Sequence, residues 1–313
     1  MNTYAKNVHT NIYGLARALM ALSLLITFLF SDNGRSFPNE LFSPSHDTLS
    51  WNFFAIMGHN NLTLSVVIAC VILLWVISGY LPQLSCFLHA WIAISYFNVA
   101  LVIEGGDQIA QILSIFIIPI AITDPRLNHW YAPDQTFFKR PGFFLRYFAY
   151  SSALIIQLQM SLLYFFAFVD KFGVDEWRNG TAFYYWFNHT PFGADDWLKS
   201  LFGWVVADPF LGRVLDWGVL ALEAALFAAI FMEQKKKKRM LYAAIIFHFA
   251  IILVHGLGSF FFAMAAGLIL YLHPIDHEYS WSAIVDSIKG LRAKRPTLLM
   301  TNKLSRLLSR SNQ

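Results

Sequence analysis

Apolar runs of membrane-spanning length recur along the chain at 12–30, 62–80, 84–104, 106–122, 142–170, 210–232, 240–256 and 258–273. A helix needs ~20 apolar residues to cross ~30 Å of hydrocarbon at 1.5 Å per residue. In lipid every backbone polar group must be satisfied within the spanning element, so these runs predict helices and not open strands. The expected fold is all-α: a polytopic transmembrane helix bundle of about eight spans. Only 13% of the 313 residues are charged and 57% are apolar. That is too little charge to solvate a soluble surface of this size. The first run lacks a small-residue cleavage pattern after it and reads as a retained helix.

Charge sets the expected orientation. With the N-terminus inside and an even number of spans, 18 of the 23 Lys and Arg fall on the inner side. Among these are Arg17, Arg126, Arg146, the run Lys235–Arg239 and the basic tail. Positive loops resist translocation, so both termini are expected in the cytoplasm. The same distribution accounts for the pI near 9.0 without nucleic acid. The domain reading is a cytoplasmic N-terminus at 1–11, the bundle at 12–275 and a cytoplasmic tail at 276–313 lying on anionic membrane lipid. The outer segment 173–207 is rich in Trp, Tyr and Phe. Two amphipathic pieces, 179–189 and 194–206, are broken by Thr190-Pro191-Phe192-Gly193 and read as interfacial helices capping the bundle from outside. The apolar piece 51–58 is too short to span and is placed at the interface. Cys70 and Cys86 read as packing residues.

Polar groups inside hydrocarbon are costly, so they direct the search for function. Gln157, Ser161, Tyr164, Phe168 and Lys171 recur at steps of four, three, four and three, within about 40° of one helix line. This polar face ends in a lysine near the outer leaflet. Lys171 reads either as a snorkelling anchor or ion-pair partner, or as a desolvated amine able to act as a base. Asp216 and Glu223 share a face of the sixth run, and His248 and His255 share a face of the seventh. For each, a structural hydrogen bond and a functional role both stand. No metal site is expected. Asn98, Glu104, Asp107 and Gln111 surround the Gly105-Gly106 turn and read as an ordinary capped turn.

The stretch Gln157–Gly193 resembles the HTTM family, membrane proteins related to the integral membrane part of vitamin K-dependent gamma-carboxylase. Gln157, Tyr164, Ala167, Lys171, Trp177, Gly180 and Ala182 fit its motif, while Phe168 stands where glycine is usual. Glu223 matches the family's acidic residue in the span after the cap. Within the family, the opening run NIYGLARALMALSLLITFLF and the turn GGDQIAQIL are similar to the sporulation-delaying protein B (SdpB) group. The resemblance implies a bacterial cytoplasmic membrane protein that helps mature an exported antimicrobial peptide toxin, with an SdpA-like protein and the toxin precursor as partners. It implies Lys171 as a base, with Glu223 and His255 tuning it or relaying protons. Gln157, Tyr164, Trp177, Asp216 and His248 would line the cavity, and a quinone is the implied cofactor. Gamma-carboxylation itself is not expected, because no peptide-binding domain accompanies the bundle. A non-enzymatic scaffold, chaperone or immunity-like partner of the toxin is the alternative. A transporter ranks below both, since no internal repeat is evident.

Overall fold

The computed structural model describes residues 7–37, 51–56, 61–131, 143–190 and 192–278. Thirteen α-helices follow in chain order: α1 (Asn11–Phe30), α2 (Asn33–Ser36), α3 (Phe53–Ile56), α4 (Leu62–Ser78), α5 (Pro82–Val99), α6 (Gly105–Ile122), α7 (Phe143–Phe172), α8 (Asp175–Asn179), α9 (Ala182–Phe187), α10 (Asp196–Ala207), α11 (Pro209–Ala228), α12 (Gln234–His255) and α13 (Gly258–Leu272). Met1–Asp276 form one compact unit; of the remainder, only residues 277–278 are described. The predicted basic tail on lipid therefore lies outside the described residues, as does Pro191 in the cap.

The all-α reading holds, but the expectation of about eight spans is corrected. Among the described residues five helices are long and apolar enough to cross a membrane: Asn11–Phe30, Gly105–Ile122, Phe144–Phe172, Pro209–Phe231 and Gln234–His255. Each of the eight runs is helical, but three fall short. Helix α4 has 17 residues and α13 has 15, about 25 and 22 Å at 1.5 Å per residue. Helix α5 has 18 residues but carries Gln83, Ser85, His89, Ser95 and Asn98. An odd count also removes the even-span argument for placing both termini on one side.

Local signals set the helix ends. Thr10 caps α1 by accepting from the Tyr13 N–H at 3.3 Å. Asp208 caps α11 by accepting from Phe210 and Leu211 at 2.9 Å, with Pro209 in the first turn. Helices α4 and α12 end at Gly79 and Gly256 in the left-handed conformation. Helix α1 is the central strut, packed against α4, α6 and α13. Its Ala16, Ala21 and Leu24 are fully buried, and small residues let neighbouring helices approach closely where lipid removes the hydrophobic drive between them. Helices α7, α11 and α12 close the other side and expose Ile155, Leu158, Phe166, Val214, Ile246 and Leu253 outward. Such apolar flanks suit lipid.

Of the short piece at 51–58, residues 51–56 are described and pack on the bundle. Its helix α3 is tucked against α5, where Asn52 Nδ2 donates to the Ser95 carbonyl at 2.9 Å and the Phe53 N–H donates to Ser95 Oγ at 3.0 Å; Phe54 is fully buried. The cap contains three helices, α8, α9 and α10, not two.

Candidate functional site

One end of the bundle holds a cavity of about 830 Å³. Its walls come from the C-terminal ends of α1, α5, α7 and α12, the N-terminal ends of α6 and α13, the middle of α11 and the aromatic cap. Lys171 lies in the last turn of α7, inside the helix. Its Nζ donates to Glu223 Oε1 at 2.8 Å and to the Ala167 carbonyl at 3.4 Å. It also stands 5.6 Å from the Trp177 ring centroid, a cation–π distance. The pair is shielded, with side-chain exposures of 29% for Lys171 and 7% for Glu223. Glu223 Oε2 and the Tyr164 hydroxyl are buried without a hydrogen-bond partner. An unmet buried group of this kind costs about 1–3 kcal/mol.

The histidines divide in role. His248 is buried, and its Nδ1 stands 2.7 Å from the Ala244 carbonyl. A carbonyl can only accept, so Nδ1 carries the proton and Nε2 is left as an acceptor. Its ring centroid lies 6.3 Å from that of Tyr164. His255 Nδ1 lies 2.6 Å from the Phe192 carbonyl, and its ring is 6.3 Å from Trp186. This side chain ties the end of α12 to the cap.

Of the residues singled out in the sequence, Lys171, Glu223, His255, Tyr164, Trp177 and His248 line the cavity. Gln157 and Asp216 do not. Gln157 sits about four turns before Lys171 on α7 and is half-buried. Asp216 is fully buried and holds the cap: its Oδ2 accepts from the Ala182 N–H at 2.8 Å and its Oδ1 from the Phe183 N–H at 3.0 Å. A carboxylate at the first N–H groups of α9 is the favourable placement. Gly180 lets the chain turn into that contact, with φ +80° and room for no Cβ beside Arg213.

The Gly105-Gly106 turn is capped as expected. The Glu104 side chain and Asp107 form a reciprocal capping box, with the Glu104 N–H donating to Asp107 Oδ2 at 3.0 Å. Capping leaves carboxylate oxygens over. Ser259 Oγ donates to Glu104 Oε1 at 2.5 Å, while Glu104 Oε2 and Asp107 Oδ1 are buried without partners. Both residues line the cavity. A Cβ on Gly106 would meet the Phe260 backbone at 2.8 Å, so only glycine lets α6 and α13 meet there.

A second polar cluster escaped the sequence reading. Arg17, counted there as an inner-loop charge, lies within α1 and is fully buried. Its Nη2 donates to Ser85 Oγ at 2.6 Å and its Nη1 to His129 Nδ1 at 3.2 Å. Burial, then the Arg17 and Arg126 charges, push His129 down to about 3, which keeps it a neutral acceptor. Arg126 and Asp124 form a buried ion pair at 2.7 Å beside it. The available signal was position: a charge seven residues into an apolar helix belongs to the bundle interior. Among the described residues no group of three or more His, Cys, Asp or Glu is placed to hold a metal.

No family model matches the chain, and no solved structure matches it. Two proteins of Bacillus subtilis (strain 168) do. The uncharacterized protein YitO is 31% identical over 288 residues, 89% of this chain and 90% of its own. The sporulation-delaying protein SdpB is 30% identical over 289 residues, 89% of this chain and 85% of its own. The likeness therefore runs through the bundle and its cavity together, and the chain belongs to the family of multi-span helical membrane proteins that includes SdpB and YitO.

Proposed function

We propose that the chain is an SdpB-like membrane factor that matures an exported antimicrobial peptide toxin, using Lys171 as a proton acceptor in the cavity. The observation that carries this is the Lys171–Glu223 pair at 2.8 Å inside a chamber with the unpartnered Glu223 Oε2 and Tyr164 hydroxyl. In a low-dielectric site an ammonium–carboxylate pair can pass one proton inward and become a neutral amine and a carboxylic acid. Net charge is unchanged by that shift. The amine so formed can take a proton from a bound substrate, and Tyr164 can donate a hydrogen bond to the developing anion.

The kinship with the HTTM family belongs to this proposal, and so does its quinone. Aromatic walls and an unpartnered hydroxyl suit a lipid-like quinone, which Trp177, Phe183, Trp186 and Tyr164 would hold. In its reduced, hydroquinone form such a group would supply a hydroxyl proton for removal by Lys171. The partners are an SdpA-like protein and the toxin precursor, on the strength of the likeness to SdpB. In the bacterial cytoplasmic membrane, the Lys235–Arg239 end of α12 faces the cytoplasm and the cavity faces outward. Thr10, before α1, and His273, after α13, line one small pocket, and this reading takes that end of the bundle as the cytoplasmic one.

The test is peptide maturation in cells that make the chain with a precursor and an SdpA-like protein. Lys171→Ala at unchanged membrane abundance is expected to abolish the mature peptide. Normal maturation would reduce Lys171 to a helix anchor. A scaffold is the second reading, because Asp216 and His255 are committed to holding the cap. It predicts variants that lose partner binding and not turnover.

A further inference from the structure

The cavity holds a second polar station that the Lys171 chemistry does not use. It sits at the N-terminus of α6, where Glu104 and Asp107 each have one carboxylate oxygen taken and one free. Glu104 Oε1 accepts from Ser259 Oγ and Asp107 Oδ2 from the Glu104 N–H. Glu104 Oε2 and Asp107 Oδ1 have no partner, and Asp107 is only 3% exposed. A third unpartnered group in the same chamber, the Tyr164 hydroxyl, is 2% exposed. The station is therefore part of a chamber built with unmet polar groups, not a solvated acidic turn.

In the ionised form the two free carboxylate oxygens are acceptors, so a ligand that brings N–H donors complements them and holds the carboxyls ionised. Carboxylates favour a positive donor, since charge-assisted bonds are the stronger ones. Around the pair the walls are apolar and aromatic, with Ile103, Ile109, Tyr96, Phe260 and Met264 lining the chamber. Such walls accept an alkyl stem and the ring faces attract a cation. A bare metal ion would meet no third His, Cys, Asp or Glu among the described residues.

We infer that Glu104 and Asp107 form a recognition subsite for a primary ammonium group carried on an apolar stem. The inference rests on the reading of the cavity as a ligand chamber, and it is independent of proton transfer at Lys171. A peptide amino group and a phosphatidylethanolamine headgroup both present this chemistry.

The test uses the full chain in phosphatidylglycerol nanodiscs, with octylammonium as the probe and the fluorescence of Trp177 and Trp186 as the readout. Octylammonium is expected to give a saturable response that n-octanol at the same concentration does not. Glu104→Gln and Asp107→Asn keep an acceptor for the capping box and are expected to weaken the response at least tenfold, with helicity by circular dichroism unchanged. Competition by added phosphatidylethanolamine would assign the lipid headgroup. Competition by a short peptide, lost when its amino terminus is acetylated, would assign the peptide. Equal responses to octylammonium and octanol would overturn the inference, as would wild-type affinity in both carboxylate variants. The octanol comparison in the wild-type chain decides the matter even if a variant fails to fold. Octylammonium binding is read in the wild-type chain and the base proposal by peptide maturation in Lys171→Arg, so failure of the base proposal and failure of this one are told apart.

Discussion

Lys171 Nζ and Glu223 Oε1 stand 2.8 Å apart across 52 residues of sequence, joining the last turn of α7 to the middle of α11. The contact makes the polar face of one helix and the acid of another into one charge-neutral unit. Removing one partner leaves the other charge buried, which costs about 3–5 kcal/mol. Lys171→Met and Glu223→Leu are each expected to lower stability by that order, and the double variant by less than the sum. Thermal unfolding of the four proteins in detergent measures the coupling. Additive losses would mean the two groups do not share their energy.

Asp216 is the anchor of the cap. Asp216→Ala strands the N–H groups of Ala182 and Phe183, at about 1–3 kcal/mol for each unmet bond. Hydrogen exchange at these amides is expected to quicken sharply while α7 stays protected. Asp216→Asn keeps one acceptor and is expected to fall between.

Gly180 sets the turn that brings the cap onto α11. Its φ is +80°, and a Cβ would lie 2.6 Å from Arg213. Gly180→Ala is therefore expected to cost about 1–3 kcal/mol from backbone strain and overlap together. A melting temperature unchanged from wild type would contradict that reading.

His129 gives the bundle a pH dependence at the end away from the cavity. Burial, reinforced by Arg17 and Arg126, holds it at about 3 against 6.5 in the unfolded chain. The unfolded state therefore gains a proton below pH 6.5 while the folded state does not. Stability is expected to fall by about 1.4 kcal/mol per pH unit from this group between 6.5 and 3. His9, lowered to about 4 chiefly by burial, and partly restored by Asp124, adds to the same slope. Unfolding midpoints from pH 7 to 5 should decline less steeply in His129→Gln. An equal slope would show that His129 is not the source.

Helix positions were legible because apolar length and caps are local properties. Runs ending at Gly79 and Gly256, or starting at Pro82 and Pro209, carry their boundaries in the sequence. The span count was not legible, since a 15-residue helix such as α13 can be shielded by neighbours that no local pattern reveals. The polar face of α7 was readable from its spacing, and it ends at the cavity in Lys171. The partners that complete the site come from elsewhere in the chain, 155 residues apart for Glu104 and Ser259. Asp216 shows the limit most plainly. Its spacing from Glu223 put the two on one face, yet one meets the cavity and the other meets the backbone of α9.

The most direct test of the base proposal is peptide maturation by the Lys171→Arg chain, at membrane abundance matched to wild type. Arginine keeps the positive charge and the ion pair with Glu223 but does not give up a proton at any accessible pH. Loss of the mature peptide with the chain still folded and inserted is the predicted result. Maturation at the wild-type level would contradict proton transfer at Lys171 and leave the pair as a structural link between α7 and α11.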